Sequence, residues 1–187
     1  FRMPSPNSDR PAILDPVPEN LFRDPLAYLS ADHLGQRHIC DLLDAAARDP
    51  ATADTPARAE MIRDFLQTRL PRHCEDEEKA LFPILIDHAP YNATIAKVIE
   101  MFQAEHQAGM RTVATLCEGL GRLETHKALW SRRRFAVLTT TFTTSWRRHI
   151  DWEDSVLLPI AASLIDNAEL REIGIGMAER RGLTYPE

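Results

Sequence analysis

Cysteine is scarce in this 187-residue chain, and the three present, Cys40, Cys74 and Cys117, are odd in number and lack CxxC spacing. That usage points to a reduced, cytoplasmic protein. Glycine is sparse too, at seven residues, while Ala, Leu, Glu and Arg abound, which favours helix over sheet. No apolar run approaches the ~20 residues needed to cross a bilayer, so no membrane partner is expected. No secretory h-region opens the chain; because it begins at Phe1, its natural start is expected upstream. A basic stripe with interleaved aromatics is also missing, and with a net charge of −6 this argues against nucleic acid as a partner. Arg132-Arg133-Arg134 is a short run, read as a solvated helix face.

The length fits one domain with a real core, and 44% hydrophobic with 27% charged residues is ordinary for a globular protein. Residues 1–24 form a proline-rich N-terminal arm, since proline fixes φ and lacks an amide hydrogen. The arm offers Ile13, Leu14, Leu21 and Phe22 for packing on the domain. Residues 25–187 form the domain itself. Its first helix is expected from Pro25, capped by Asp24, to Asp49-Pro50. A second follows Thr55-Pro56, with a kink at Pro71 and a disturbed end at Pro83. A third starts beyond Ala89-Pro90 and ends at Gly119 and Gly121. A fourth runs from about Ser131 along a seam of Leu138, Phe142, Trp146, His149, Glu153, Val156 and Ile160. A short C-terminal helix spans about Asn167 to Arg181. The fold expected is all-α, an antiparallel four-helix bundle built from two helical hairpins.

One pattern is written twice. His73-x3-Glu77, five residues, then Pro83-Ile84 recurs as His149-x3-Glu153, five residues, then Pro159-Ile160, 76 positions on. Asp32-His33 and Glu105-His106 form a second repeat, 73 positions apart. His and Glu at i and i+4 share one face of a helix, the spacing that presents a nitrogen and an oxygen to one metal centre. His33, His73, Glu77, His106, His149 and Glu153 all occupy seam positions where Leu or Ile is expected. An unpaired buried carboxylate costs several kcal/mol, and two facing each other repel. Two metal ions bridged by the two Glu would satisfy every group. Four nitrogens and two carboxylates suit iron, with manganese or zinc as substitutes; structural zinc prefers tetrahedral, Cys-rich sites. Asp76 aligns with Trp152 and Glu78 with Asp154, so only Glu77 and Glu153 match in type and register.

The remaining candidates read as structural. His38 lies ~140° around the helix from His33 and is assigned to the surface, and His88 and His126 have no partner in the repeat. Cys40 and Cys117 read as small apolar packing. Trp146 and Trp152, three residues either side of His149, are expected to wall off the cluster.

At these motifs the chain resembles the hemerythrin-like (HHE cation-binding) family, over about residues 25 to 165. The resemblance implies a non-haem di-iron centre, oxo- or hydroxo-bridged, inside the bundle. It implies that His33 and His73 bind one iron and His106 and His149 the other, with Glu77 and Glu153 bridging. It also implies access of O2, NO or peroxide to an open iron position. Oxygen carriers of that family have HxxxH on the third helix; here Met110 stands where the second His would be, which argues against simple oxygen carriage. Three functions compete: a di-iron protein that binds or senses a small ligand or handles iron, a di-iron enzyme of peroxide, NO or O2 chemistry, and a metal-free scaffold whose terminal helix docks a partner.

Overall fold

The structure, a computed structural model, describes residues 15–49, 56–124 and 129–187, and these contain helices and turns with no strand. A short 3-10 turn, Glu19–Arg23, leads into α1, Pro25–Arg48. The Asp24 carboxylate accepts from the Ala27 amide at 3.0 Å, so the cap is where the sequence places it. The second helical run is α2 (Pro56–Asp64), a π turn (Phe65–Arg69), α3 (Leu70–Asp76), a second π turn (Glu77–Leu81) and α4 (Phe82–His88). The third is α5, Ala93–Glu124, capped by Asn92, whose side-chain oxygen accepts from the Thr94 and Ile95 amides. The fourth is α6 (Leu129–Trp152), a π turn (Glu153–Leu157) and α7 (Leu158–Leu164). A capping box of Asp166 and Glu169 starts α8, Asn167–Glu179. The four runs close a ring, α1 against α6, α6 against α5, α5 against α2 and α4, and α2 and α3 against α1.

Each interior proline follows the same device. Pro71, Pro83 and Pro159 come one residue after Leu70, Phe82 and Leu158, whose amides reach back five residues to the carbonyls of Phe65, Glu77 and Glu153. A proline in a regular helix clashes with the carbonyl four residues back. The wider π turn accommodates it, and a π turn stands at each place where the sequence suggested a kink or a disturbed end. The extra residue also shifts the phase of the seam. Beyond Glu77 the buried residues include Leu81, Phe82 and Leu85, with Ile84 only half-buried. Beyond Glu153 they are Leu157, Leu158 and Ala161, so the expected Val156 and Ile160 are displaced by one position.

One other expectation needs correction. The third helix does not stop at Gly119 and Gly121 but continues to Glu124. Gly119 serves a close approach: a Cβ there would fall 2.4 Å from Cδ2 of Phe135 on α6. The end of the N-terminal arm also belongs to the core, with Phe22 stacked on Tyr28 at 4.9 Å and fully buried. Gly174 of α8 packs against that turn so closely that a Cβ would sit 1.9 Å from the Phe22 carbonyl oxygen. Ile13, Leu14 and His126 lie outside the described residues.

Apolar residues gather in two clusters. One contains Ile39, Cys40, Leu70, Cys74, Val113, Trp146 and Ile150. The other contains Phe22, Leu29, Leu81, Phe102, Leu157 and Met177. Along every run a polar residue separates them: His33 follows Leu29, His106 follows Phe102, and Glu77 and Glu153 precede Leu81 and Leu157. The core is therefore two apolar halves with a charged layer between.

Candidate metal centre

That layer brings together all six side chains singled out by the repeat. His33, His73, His106, His149, Glu77 and Glu153 are each 0–1% exposed. His33, on α1, and His73, on α3, bring their Nε2 atoms to 3.2 Å from each other. His106, on α5, and His149, on α6, do the same at 3.1 Å. Glu77 and Glu153, at the first residue of their π turns, lie between the two pairs. Oε2 of Glu77 is 3.6 Å from His73 Nε2 and 3.3 Å from His106 Nε2. Glu153 places Oε2 3.2 Å from His33 Nε2 and Oε1 2.9 Å from His149 Nε2. Each carboxylate thus spans both halves. Two overlapping groups result, His33, His73, Glu77 and Glu153, and Glu77, His106, His149 and Glu153. Within each, ligand atoms lie within 4.8 Å of one another, a set that could hold a metal ion.

Behind each imidazole stands another carboxylate. Nδ1 of His33 is 2.7 Å from Asp154 and Nδ1 of His106 is 2.9 Å from Glu78. Nδ1 of His149 is 2.9 Å from Glu105, and that of His73 is 3.3 Å from Asp32. The pattern follows the two-fold of the sequence: the acid after each Glu holds the His of the opposite hairpin, Glu105 holds His149, and Asp32 faces His73 at ion-pair distance without hydrogen-bond geometry. Arginines steady these acids, Arg69 on Asp32, Arg37 on Asp154 and Arg148 on Glu105. A carboxylate on Nδ1 fixes ring and tautomer and leaves the Nε2 lone pair for an ion. Sequence reasoning missed these four acids as functional residues. The signal was present, since Glu78 and Asp154 are both acidic at matching positions; they differ in type and not in charge.

The test of fit is in the buried oxygens. Neither oxygen of Glu77 nor of Glu153 has a hydrogen-bond partner among the described residues, although imidazole nitrogens crowd around them. Four orphaned carboxylate oxygens in a dry layer would be costly with nothing to bind. The electrostatics point the same way. Burial would lower the His33 pKa, yet Asp154 and Glu153 raise it to about 10. Burial works against charge on His106 and His73 as well, but Cys74 and Glu153 raise the first and Glu77 and Asp32 the second. Glu153, which burial would raise, is held well below the usual carboxylate range by His106, His149 and His33. The carboxylates here favour positive charge on His33 and His73, a charge that a cation would supply instead.

Aromatic rings close the layer. Phe82 stacks on His106 at 5.9 Å and Phe102 meets His149 edge-on at 5.1 Å. Trp146 lies 4.8 Å from His149, its Nε1 donating to Gln36 at 2.7 Å. Trp152 is 46% exposed and does not wall off the site, because Glu153 takes the inward position on that turn. His38 is half-buried and outside the cluster, and His88 pairs with Glu169 at 2.8 Å. Met110 packs on the first apolar cluster. Asp76, buried next to Glu77, is held by Arg180 and Arg181, at 2.7 Å each, and stays outside the centre.

An all-helical protein with a buried, two-fold layer of His and Glu is of the class whose interior is arranged to hold cations. The chain belongs to the hemerythrin HHE cation-binding domain family, whose model matches residues 24–161. Comparison with curated proteins and with solved structures gave no match. No helix among the described residues is long and apolar enough to cross a membrane.

Proposed function

We propose that this protein is a non-haem di-iron protein that binds or senses a small ligand, O2, NO or peroxide, or handles iron. His33 and His73 hold one ion, His106 and His149 the other, and Glu77 and Glu153 bridge them. The observation that carries this reading is the set of four carboxylate oxygens left without hydrogen-bond partners amid four converging Nε2 atoms. A pair of irons held there would supply redox-active, Lewis-acidic positions for a small oxidant or gas. The chain's own residues do the rest. Asp32, Glu78, Glu105 and Asp154 keep the Nδ1 side of each ring occupied, so the Nε2 lone pairs face the centre. Phe82, Phe102 and Trp146 exclude bulk water. With Met110 one turn beyond His106, that half has no third imidazole, so each ion would keep positions for exogenous ligands. Three free, buried cysteines agree with a reducing, cytoplasmic setting.

The test is metal stoichiometry on protein produced with iron, followed by its visible spectrum before and after air. Two irons per chain with charge-transfer bands of a coupled ferric pair are expected. Protein that folds fully and refuses iron would overturn the reading and favour a metal-free scaffold.

A further inference from the structure

The two halves of the repeat part company beside the metal layer. Positions 73 apart correspond between α1 and α5, and positions 76 apart between the second and fourth runs. Gln36 and Leu70 become Gly109 and Trp146, an exchange of bulk, since a Cβ on Gly109 would fall 2.5 Å from the Trp146 ring. Three further changes shrink the side chain, while Leu66 becomes the larger Phe142. Ile39, Phe65 and Arg69 become Thr112, Thr141 and Ser145. In the first half Ile39 and Phe65 are buried, and the Arg69 guanidinium lies 4.6 Å over the Phe65 ring while donating to Asp32. There the Arg69–Phe65 stack stands against Asp32. In the second half Thr141 and Ser145 are exposed, and a pocket of about 240 Å³ reaches down to Glu105, Trp146 and His149.

The walls define what the pocket would take. Phe142 and Trp146 stack at 5.5 Å and 12° and, with Leu138, give an apolar aromatic side. The hydroxyls of Thr112 and Thr141 donate to the Ala108 and Val137 carbonyls of their own helices, so they offer a guest oxygen lone pairs. Glu105 is matched by Arg148 at 2.6 Å, so the floor is an ion pair and not a net charge. Pockets for drug-sized ligands span roughly 300–1,000 Å³, so this one suits a single ring.

We propose that this pocket, on the His106–His149 side, binds a small neutral aromatic molecule carrying a hydroxyl or N–H donor. The inference goes beyond the metal reading, because the protein alone forms the pocket.

The experiment is a fluorine-NMR titration of the full chain with 4-fluorophenol, run on metal-free and on iron-loaded samples. A saturable shift is expected in both. The double variant Thr112→Ile, Thr141→Phe copies the larger first-half residues at those two positions and should weaken binding about tenfold or more. Its melting temperature and metal content should stay unchanged. Should that variant not fold, Ser145→Arg, at an exposed position, should give the same loss. A titration that does not saturate, or a filled variant that binds as well as the parent, overturns the proposal. Metal content measured on the same samples reports separately on the di-iron reading, because probe binding is scored in metal-free protein as well.

Discussion

Glu78 holds His106 across the bundle, its Oε1 2.9 Å from the ring Nδ1. Asp154 does the same for His33 at 2.7 Å, so each carboxylate-bearing π turn also positions an imidazole of the other hairpin. Glu78→Gln and Asp154→Asn keep the shape and remove the charge. Each should lower metal affinity about 10–100-fold, read by competition with a chelator of known affinity. Unchanged affinity in both would mean that the rings are oriented by packing alone.

Glu77 and Glu153 each reach imidazoles of both halves. Replacing either with Ala should lower metal content and thermal stability together, because metal binding and folding share one free energy. Elemental analysis and thermal unfolding on the same sample check this. A Glu77→Ala, Glu153→Ala double variant that still loads two ions would sink the bridging assignment.

Asp76 joins the C-terminal segment to the bundle. It is 1% exposed, and both partners, Arg180 and Arg181, are mostly buried, with Arg181 also 4.9 Å over the Tyr28 ring. Asp76→Ala leaves two arginines short of their anion and should cost about 3–5 kcal/mol, measured by urea denaturation. Metal stoichiometry at low temperature should not change; a specific loss of one ion would place Asp76 in the centre.

Cys40 should be inert in the native protein. It is 1% exposed, and burial pushes its thiol up to about 12. At pH 8 the thiolate fraction is then roughly one in ten thousand. Iodoacetamide should leave Cys40 unmodified over hours and alkylate it readily in denaturant, as peptide mass mapping would show. Rapid native labelling would contradict its packing role.

That these six side chains converge was legible because the His-x3-Glu motif is written twice at matching helix positions. The acids behind the rings were half legible. Asp32 and Glu105 stood out as neighbours of histidines, but Glu78 and Asp154 were set aside for differing in type, when a hydrogen-bond acceptor needs only a carboxylate at the right distance. Helix existence followed from apolar periodicity, yet the phase beyond Glu77 and Glu153 did not, since a π turn adds a residue without announcing it. Proline marked the place, and what the structure puts there is a π turn. Gly119 was misread for a related reason: a helix stop and a site of close approach look alike until Phe135 is known to lie against it.

The charged layer between the two apolar clusters also bears on cooperativity. The two apolar clusters are separate, so the two ends of the molecule meet through the helical runs and the layer of six central residues that a cation would tie together. With ions in place, one calorimetric transition is expected. With ions chelated, the ends lose their common anchor, and the transition should broaden or divide. A bound cation would then govern whether this chain behaves as one folding unit or two.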